Sequence, residues 1–154
     1  MKKVLNIAIV LCIAFIWSNS MKSIPNSLGQ SEGIRAIVES ILINCGFEEI
    51  INSAYWNADS FRKLAHFIEF GGLAMIITAY AYFSKKSYLL VLSIIPIAMI
   101  DETIQIFSKR GPRISDVCID CMGGLFGFIV VMIIFLIYKK IVHLKEGRNG
   151  YVEK

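Results

Sequence analysis

The chain has 154 residues, of which 56% are hydrophobic, and its mean hydropathy is +0.63. That composition is too apolar for a soluble domain, which must keep a polar surface in contact with water. The formal net charge is +4, but the basic residues stand in pairs beside apolar segments and form no solvated stripe, so we expect no nucleic-acid partner. The composition indicates an integral membrane protein in contact with the lipid bilayer.

Apolar segments suited to crossing a membrane recur along the chain. A helix needs about 20 mainly apolar residues to cross a bilayer, and the last three segments reach that length while the first is shorter. The sequence therefore predicts an all-α fold, an integral membrane four-helix bundle that forms a single domain over residues 1–154. The predicted helices are residues 4–20, 64–83, 88–107 and 117–138.

The first segment has a second interpretation, because two lysines precede it and small residues follow it, as in a cleavable signal peptide. We favour an uncleaved helix. Basic residues concentrate on the cytoplasmic side of membrane proteins, which predicts a multi-pass protein of the cell membrane with both termini in the cytoplasm. The residues that support this orientation are Lys2, Lys3, Lys85, Lys86 and, in a cytoplasmic tail at 139–154, Lys139, Lys140, Lys145 and Arg148. Those that oppose it are Arg62, Lys63, Lys109, Arg110 and Arg113.

The long connection between the first two spans, residues 19–61, contains a different kind of helix. Residues 25–33 are rich in Pro, Ser and Gly and are expected to be irregular. In residues 31–45, apolar side chains recur at helical spacing opposite polar ones, but the segment is too short and too charged to span. We expect an amphipathic helix in the first extracytoplasmic loop, lying in the interface or packed on its own protein. Asp59 and Ser60 then offer N-caps to the second span.

The last two connections are short. Residues 85–87 allow only a tight hairpin, and residues 108–115 include the turn residues Gly111 and Pro112. The sequence therefore predicts that the second and third spans are neighbours, and that the third and fourth are neighbours as well.

Ionisable residues within or beside the last three spans gather at one end of the predicted bundle. Residues three or four positions apart share a helix face, so three polar faces can converge there. Carboxylates at membrane depth cost about 2.5–3.5 kcal/mol each on insertion scales, so their grouping indicates pairing or function. The candidate catalytic residues are His66, Glu69, Asp101 and Glu102. The candidate binding residues are Arg62, Lys63, Gln105, Arg110, Arg113, Asp116 and Asp120.

Two interpretations of this cluster stay open. In the first, the charges neutralise one another in an ion-pair network that locks the helix ends together. In the second, they form a polar pocket open to the outer leaflet, where arginines hold a phosphate or carboxylate and His66 or a carboxylate moves a proton.

A metal site is a third interpretation, since His66 and Glu69 at positions i and i+3, with inward aspartates, resemble the ligands of helical-bundle metal centres. Nearby basic residues oppose a cation, and the C-x-x-C pair Cys118 and Cys121 lacks the second pair that completes a zinc site. We therefore expect neither a metal nor a cofactor.

Linked motifs in the second half of the chain resemble those of the VanZ-like membrane family. Residues 62–70, RKLAHFIEF, resemble its R-K-x-x-H-F-x-E-[YF] signature, with Phe70 where tyrosine is usual, and residues 101–105, DETIQ, match its D-E-x-x-Q. The third motif, R-x5-D-x3-[DN]-x3-G-x2-G, is similar to Arg110, Asp116, Asp120, Gly124 and Gly127.

This resemblance implies a four-helix bacterial membrane protein, in a family with one member linked to low-level teicoplanin resistance. Teicoplanin acts outside the membrane on lipid-linked peptidoglycan precursor, so an outward polar pocket suits an envelope role. We favour a non-enzymatic protein that binds a lipid-linked cell-wall precursor or an envelope protein. The alternative is a membrane enzyme that performs acid/base chemistry on such a headgroup, and a transporter is disfavoured because the polar residues do not continue across the membrane.

Overall fold

The computed structural model describes residues 1–21, 24–46, 48–51, 57–107 and 113–149. Within these ranges the regular structure is entirely helical. The helices are α1 (Lys2–Ser20), α2 (Ile24–Asn44), α3 (Glu48–Ile51), α4 (Ala58–Ser84), a 3-10 helix (Tyr88–Ser93), α5 (Ile94–Phe107) and α6 (Ile114–Asn149).

Four of these helical stretches are long and apolar enough to cross a membrane. Many of their large apolar side chains are exposed on the outside of the bundle, where lipid is their natural surrounding. The predicted all-α membrane fold with four spans and a further helix is therefore confirmed, and the chain is a multi-pass membrane protein. The candidate spans are Lys2–Ser20, Asp59–Ser84, Tyr88–Phe107 and Ile114–Leu144.

The third span is not one continuous α-helix, as residues 88–107 were expected to be. It begins as a 3-10 helix, Tyr88–Ser93, and continues as α5. Pro96 explains the change, because it has no N–H to donate to the carbonyl of Leu92 four residues earlier. In the first turn of a new α-helix that donor is not needed.

Helix α6 is longer than the predicted span 117–138. It includes Ile114 and continues to Asn149, so residues 139–149 of the predicted tail are helical, while residues 150–154 lie outside the described residues. No Gly or Pro interrupts residues 128–146. At about 1.5 Å per residue the helix is about 54 Å long, which exceeds the roughly 30 Å hydrocarbon core. It therefore extends beyond the membrane.

Helix α2 begins at Ile24, well before the predicted start at residue 31. The expectation of an irregular stretch at 25–33 was wrong because Pro25 lies in the first helical turn, where a missing N–H costs nothing. Helix α2 contacts α4, yet Ile37 is still 63% exposed. The helix is thus packed on its own protein on one side and leaves apolar side chains uncovered on the other.

Helix α4 starts earlier than expected, and its cap is a different residue. Asn57, not Asp59 or Ser60, is the N-cap, and its side-chain oxygen accepts a hydrogen bond from the Ser60 backbone N–H at 2.9 Å. Asp59 is therefore in the first turn, where a negative charge is favourable. This start leaves its carboxylate available to other side chains.

Helices α4 and α6 form the most extensive contact in the bundle. A Cβ atom on Gly123 would collide with the Phe67 carbonyl group, and one on Gly127 would collide with that of Gly71. The two backbones touch because glycines line the interface at these positions. The second and third spans meet mainly where the 3-10 helix contacts α4, whereas α5 packs chiefly on α6 and α1.

A compact apolar core joins these helices below the polar end. Phe70, Leu73 and Ala74 of α4 are fully buried, as are Ile16 of α1 and Ala98 of α5. Directly above this layer, the C-terminal ends of α1 and α5 meet the N-terminal ends of α4 and α6. The fold thereby brings side chains from four helices together at one end of the bundle.

Candidate functional site

The floor of this polar end is formed by His66 of α4, Asp101 of α5 and Asp120 of α6. The two carboxylates are almost fully buried, with exposures of 0% and 1%. His66 Nδ1 lies 3.8 Å from Asp101 Oδ2 and 3.8 Å from Asp120 Oδ1. One ligand-type atom from each residue falls within 4.8 Å of the others. We call these three residues the floor trio.

Two further residues of α5 support the floor trio. Gln105 lies one turn after Asp101, and its Nε2 donates a hydrogen bond to Asp101 Oδ2 at 2.9 Å, which fixes that carboxylate. Glu102 is adjacent to Asp101 in the chain, and both side chains are buried. Glu102 Oε1 accepts a hydrogen bond from the Arg113 backbone N–H, so it ties the end of α5 to the start of α6.

The rim above the floor is built around Asp59. Its carboxylate lies 2.9 Å from Arg62 Nη2, 2.9 Å from Lys63 Nζ and 3.8 Å from Arg113 Nη1. Arg62 also reaches Asp116 Oδ2 of α6 at 3.5 Å. The rim therefore has three cations around one shared carboxylate, whereas the floor is rich in carboxylates.

Glu69 faces away from the rim, toward α1 and α2. Its Oε1 accepts a hydrogen bond from Asn19 Nδ2 at 2.7 Å, which links the end of α1 to α4. It also lines a cavity of about 370 Å³ between α2 and α4 whose other walls are apolar. The remaining lining residues are Ile34, Val38, Phe61, Leu64, Ala65 and Ile68.

The polar groups themselves are closely packed. Lys63, His66, Asp116 and Asp120, together with Ile119, border a narrow cleft with no room for a water molecule. The described residues thus combine a closed ion-pair network with an apolar cavity beside it, and the space that could receive a ligand chain is the apolar one.

The structure brings together most residues that the sequence singled out. His66, Asp101 and Asp120 meet in the floor. In the rim, Arg62, Lys63 and Arg113 meet at Asp59, and Arg62 also reaches Asp116. Arg110 lies outside the described residues.

Sequence reasoning missed two residues of the polar end. Asp59 was taken only as a cap, and the signal that could have found it is its spacing of three and four residues from Arg62 and Lys63. Asn19 was not singled out, although it donates a hydrogen bond to Glu69. The signal that could have found it is an amide at the end of the first span, at the same end of the bundle as Glu69.

One of three comparisons with known proteins identifies a family for this chain. Curated proteins and solved structures give no match to the chain. The family model VanZ/LLP1 matches residues 5–136, which include the second and third spans, most of the first and fourth, and every residue of the floor and rim. The chain therefore belongs to the VanZ/LLP1 family.

Proposed function

We propose that this protein binds a lipid-linked component of the cell envelope, with the apolar chain between α2 and α4 and the anionic headgroup on the rim. The observation that carries the proposal is the position of the apolar cavity. It lies along residues 61–69 of α4, the same turns that carry Arg62, Lys63 and His66. A molecule with a long apolar chain and a charged head meets both surroundings at once.

The rim has the charge that a phosphate-bearing headgroup needs. Asp59 is the shared partner of Arg62, Lys63 and Arg113, and the Arg113 side chain is 56% exposed. Arginine and lysine bind phosphate through charge-assisted hydrogen bonds. A bound phosphate can replace Asp59 as their partner without moving the helices.

An envelope role also requires that the polar end face outward. We propose that both termini lie in the cytoplasm, with Lys2, Lys3, Lys85 and Lys86 at the cytoplasmic ends of their helices. The rim cations count the other way under the same rule, so labelling of cysteines introduced at each end decides between the two orientations. With the polar end outside, the rim is at the level of outer-leaflet headgroups.

The family resemblance supports an effect on teicoplanin tolerance, since that antibiotic acts on lipid-linked cell-wall precursor at the outer surface. A protein that holds such a precursor changes its availability to the antibiotic. The role proposed is that of a binding or accessory protein.

A second candidate function is a membrane enzyme that acts on the same headgroup. It is favoured by the floor trio, in which one imidazole lies between two buried carboxylates and Gln105 fixes one of them. That arrangement can orient an imidazole for proton transfer. Conversion of a lipid-linked substrate by purified protein, lost in His66→Ala with retained binding, distinguishes the enzyme from the binding protein.

The test is susceptibility to teicoplanin and vancomycin in a sensitive Gram-positive host that expresses the wild type or a variant at equal membrane abundance, checked by blotting. Ala65→Phe adds a ring inside the apolar cavity. Ile134→Phe is the matched control, because Ile134 is a 52% exposed residue of α6 that does not line the cavity. His66→Ala and Asp116→Asn test the polar cluster.

We expect the wild type to raise tolerance to teicoplanin selectively, Ala65→Phe to reduce it to the vector level, and Ile134→Phe to leave it unchanged. Equal tolerance in wild type and Ala65→Phe contradicts a ligand chain in this cavity. No effect of the wild type removes the link to the antibiotic, while the fold and family stand.

A further inference from the structure

Among the residues that the structure describes, the buried carboxylates of the floor trio outnumber the basic groups that face them. Asp101 and Asp120 are almost fully buried. In the described part of the chain, the ion pairs of Arg62, Lys63 and Arg113 go to Asp59 and Asp116, and the basic group within ion-pair distance of Asp101 or Asp120 is the His66 imidazole. One imidazole carries at most a single positive charge, so two ionised carboxylates exceed the positive charge that the described residues place beside them.

The separations within the trio suit ligands of one ion better than hydrogen bonds. Both contacts of His66 Nδ1 are 3.8 Å long, whereas hydrogen bonds to a ring nitrogen are about 2.7–3.2 Å. Two ligand atoms that are each about 2.1 Å from a metal ion lie about 3.4 Å apart at the tetrahedral angle. Because the ligand atoms of all three residues lie within 4.8 Å of one another, modest side-chain rotations bring them onto one ion.

Unpartnered oxygen atoms provide a separate observation. Asp101 Oδ1 and Asp120 Oδ1 are buried and accept no hydrogen bond within the described structure. Buried carboxylate oxygens without a partner are costly and call for a missing partner. Asp120 Oδ1 is also the atom that faces His66. A cation between these side chains supplies the partner that the described residues do not.

The surroundings of Asp101 are those of a supported metal ligand. The hydrogen bond from Gln105 Nε2 to Asp101 Oδ2 holds the carboxylate in place from the next turn of α5. Metal-binding carboxylates are commonly oriented by such hydrogen bonds from a second layer of residues. The basic residues that made a cation site unattractive at the level of sequence are, where described, directed at the rim carboxylates instead.

We infer that His66, Asp101 and Asp120 bind a divalent transition-metal ion. One imidazole nitrogen and two carboxylate oxygens suit zinc or manganese, whereas magnesium and calcium prefer oxygen ligands alone. The three ligands come from α4, α5 and α6, so the ion crosslinks the polar ends of these helices. The inference does not depend on the proposed function, because it concerns the floor and requires no envelope ligand.

The test measures metal bound by the full chain, purified in detergent without a polyhistidine tag. After treatment with a chelator and dialysis against zinc or manganese, we expect about one ion per chain by elemental analysis, as for a structural or catalytic site. We also expect zinc or manganese to raise the melting temperature of the wild type, because an ion that binds only the folded state stabilises it. Magnesium at the same concentration is expected to leave it unchanged.

The variants that test the assignment are His66→Ala, Asp101→Asn and Asp120→Asn. Each is expected to weaken metal binding by more than about 100-fold, beyond the 10- to 100-fold typical of residues that only orient ligands. Asp116→Asn is the matched control, since Asp116 is a buried carboxylate of α6 that pairs with Arg62 instead. It should retain wild-type metal content.

Thiols are a competing source of zinc binding, so the double variant Cys118→Ser, Cys121→Ser is included and should retain the ion. Three results overturn the inference: a wild type that binds neither zinc nor manganese, loss of the ion in the cysteine double variant, or its retention in all three floor variants. The first of these results is measured on the wild type alone, so the inference can be tested even if a variant fails to fold. Metal content is read without antibiotic or lipid, so its failure is distinct from that of the proposed function.

Discussion

Asp59 connects the two sides of the rim, because its carboxylate contacts Arg62 and Lys63 on its own helix and Arg113 just before α6. Its side chain is 41% exposed, so solvent screens these pairs. Exposed ion pairs contribute about 0.2–1 kcal/mol each. Asp59 therefore contributes modestly to stability, and in the proposed function it occupies the cations that an anionic headgroup would bind.

We predict that Asp59→Asn strengthens binding of an anionic lipid, because the substitution removes the internal competitor for the rim cations. The expected gain is about fivefold in affinity, on the scale of one such pair. The measurement is binding of a fluorescent polyprenyl phosphate to purified protein in detergent.

Glu49→Gln is the control for this experiment, since it changes the net charge equally at an exposed position of α3. It should leave affinity unchanged. Equal or weaker binding by Asp59→Asn shows that the rim cations do not contact the headgroup. A matching gain in Glu49→Gln shows that only overall charge matters.

At the scale of helices, the α4 and α6 pair determines whether the floor trio exists, because His66 and Asp120 come from these two helices. Their backbones touch at Gly123 and Gly127, one and two turns below Asp120. Since both glycines lack a side chain, the polar groups above them approach within ion-pair distance. Apolar packing in the membrane thus positions the polar site.

We predict that Gly127→Ala separates α4 from α6, because the added Cβ collides with the Gly71 carbonyl oxygen, which belongs to a rigid backbone. Overpacking of this kind costs roughly 1–3 kcal/mol. The expected result is a lower melting temperature in detergent, measured by circular dichroism.

Gly72→Ala is the matched control, since a Cβ at Gly72 meets no atom within 4 Å. Alanine also favours a helix over glycine, so this variant should melt at or above the wild-type temperature. If Gly127→Ala melts like Gly72→Ala, the two helices are less closely packed than described.

Local sequence features predicted the start of helix α2 wrongly. The Pro and Gly residues of 25–33 indicated a loop, but helix α2 contacts α4 and includes them. Tertiary contacts of this kind outweigh a local propensity of about 1 kcal/mol per glycine. The break in the third span, in contrast, follows from Pro96 alone, a local rule that could have been applied to the sequence.

For the molecule as a whole, the property that decides its role is its orientation in the membrane. Cys45 lies in the connection between the first and second spans, at the same end of the bundle as the polar rim. The turn with Lys85 and Lys86 lies between the second and third spans. Cys45 is exposed. The two positions therefore report on opposite sides of the membrane.

We predict that a chain with Cys45 as its single cysteine is labelled by a membrane-impermeant maleimide on intact cells. A cysteine introduced as Lys86→Cys, in a chain that lacks the four native cysteines, should be labelled only after permeabilisation, because that turn is cytoplasmic in the proposed orientation. Labelling is read by mass shift on gels. The reverse pattern puts the rim in the cytoplasm and excludes the envelope role.

The sequence by itself determined the membrane fold, the four spans, the family and most polar residues of the site, because apolar length and linked motifs are properties of the chain read in order. Only the tertiary structure decided that Asp59 is shared by three cations, that Asn19 reaches Glu69, and that His66 lies between Asp101 and Asp120. The physical reason is that helical spacing gives the face of a residue on its own helix, whereas distances between helices depend on how closely their backbones pack. Gly123 and Gly127 allow the backbones of α4 and α6 to touch, and this short distance between the helices determines which charged side chains come into contact.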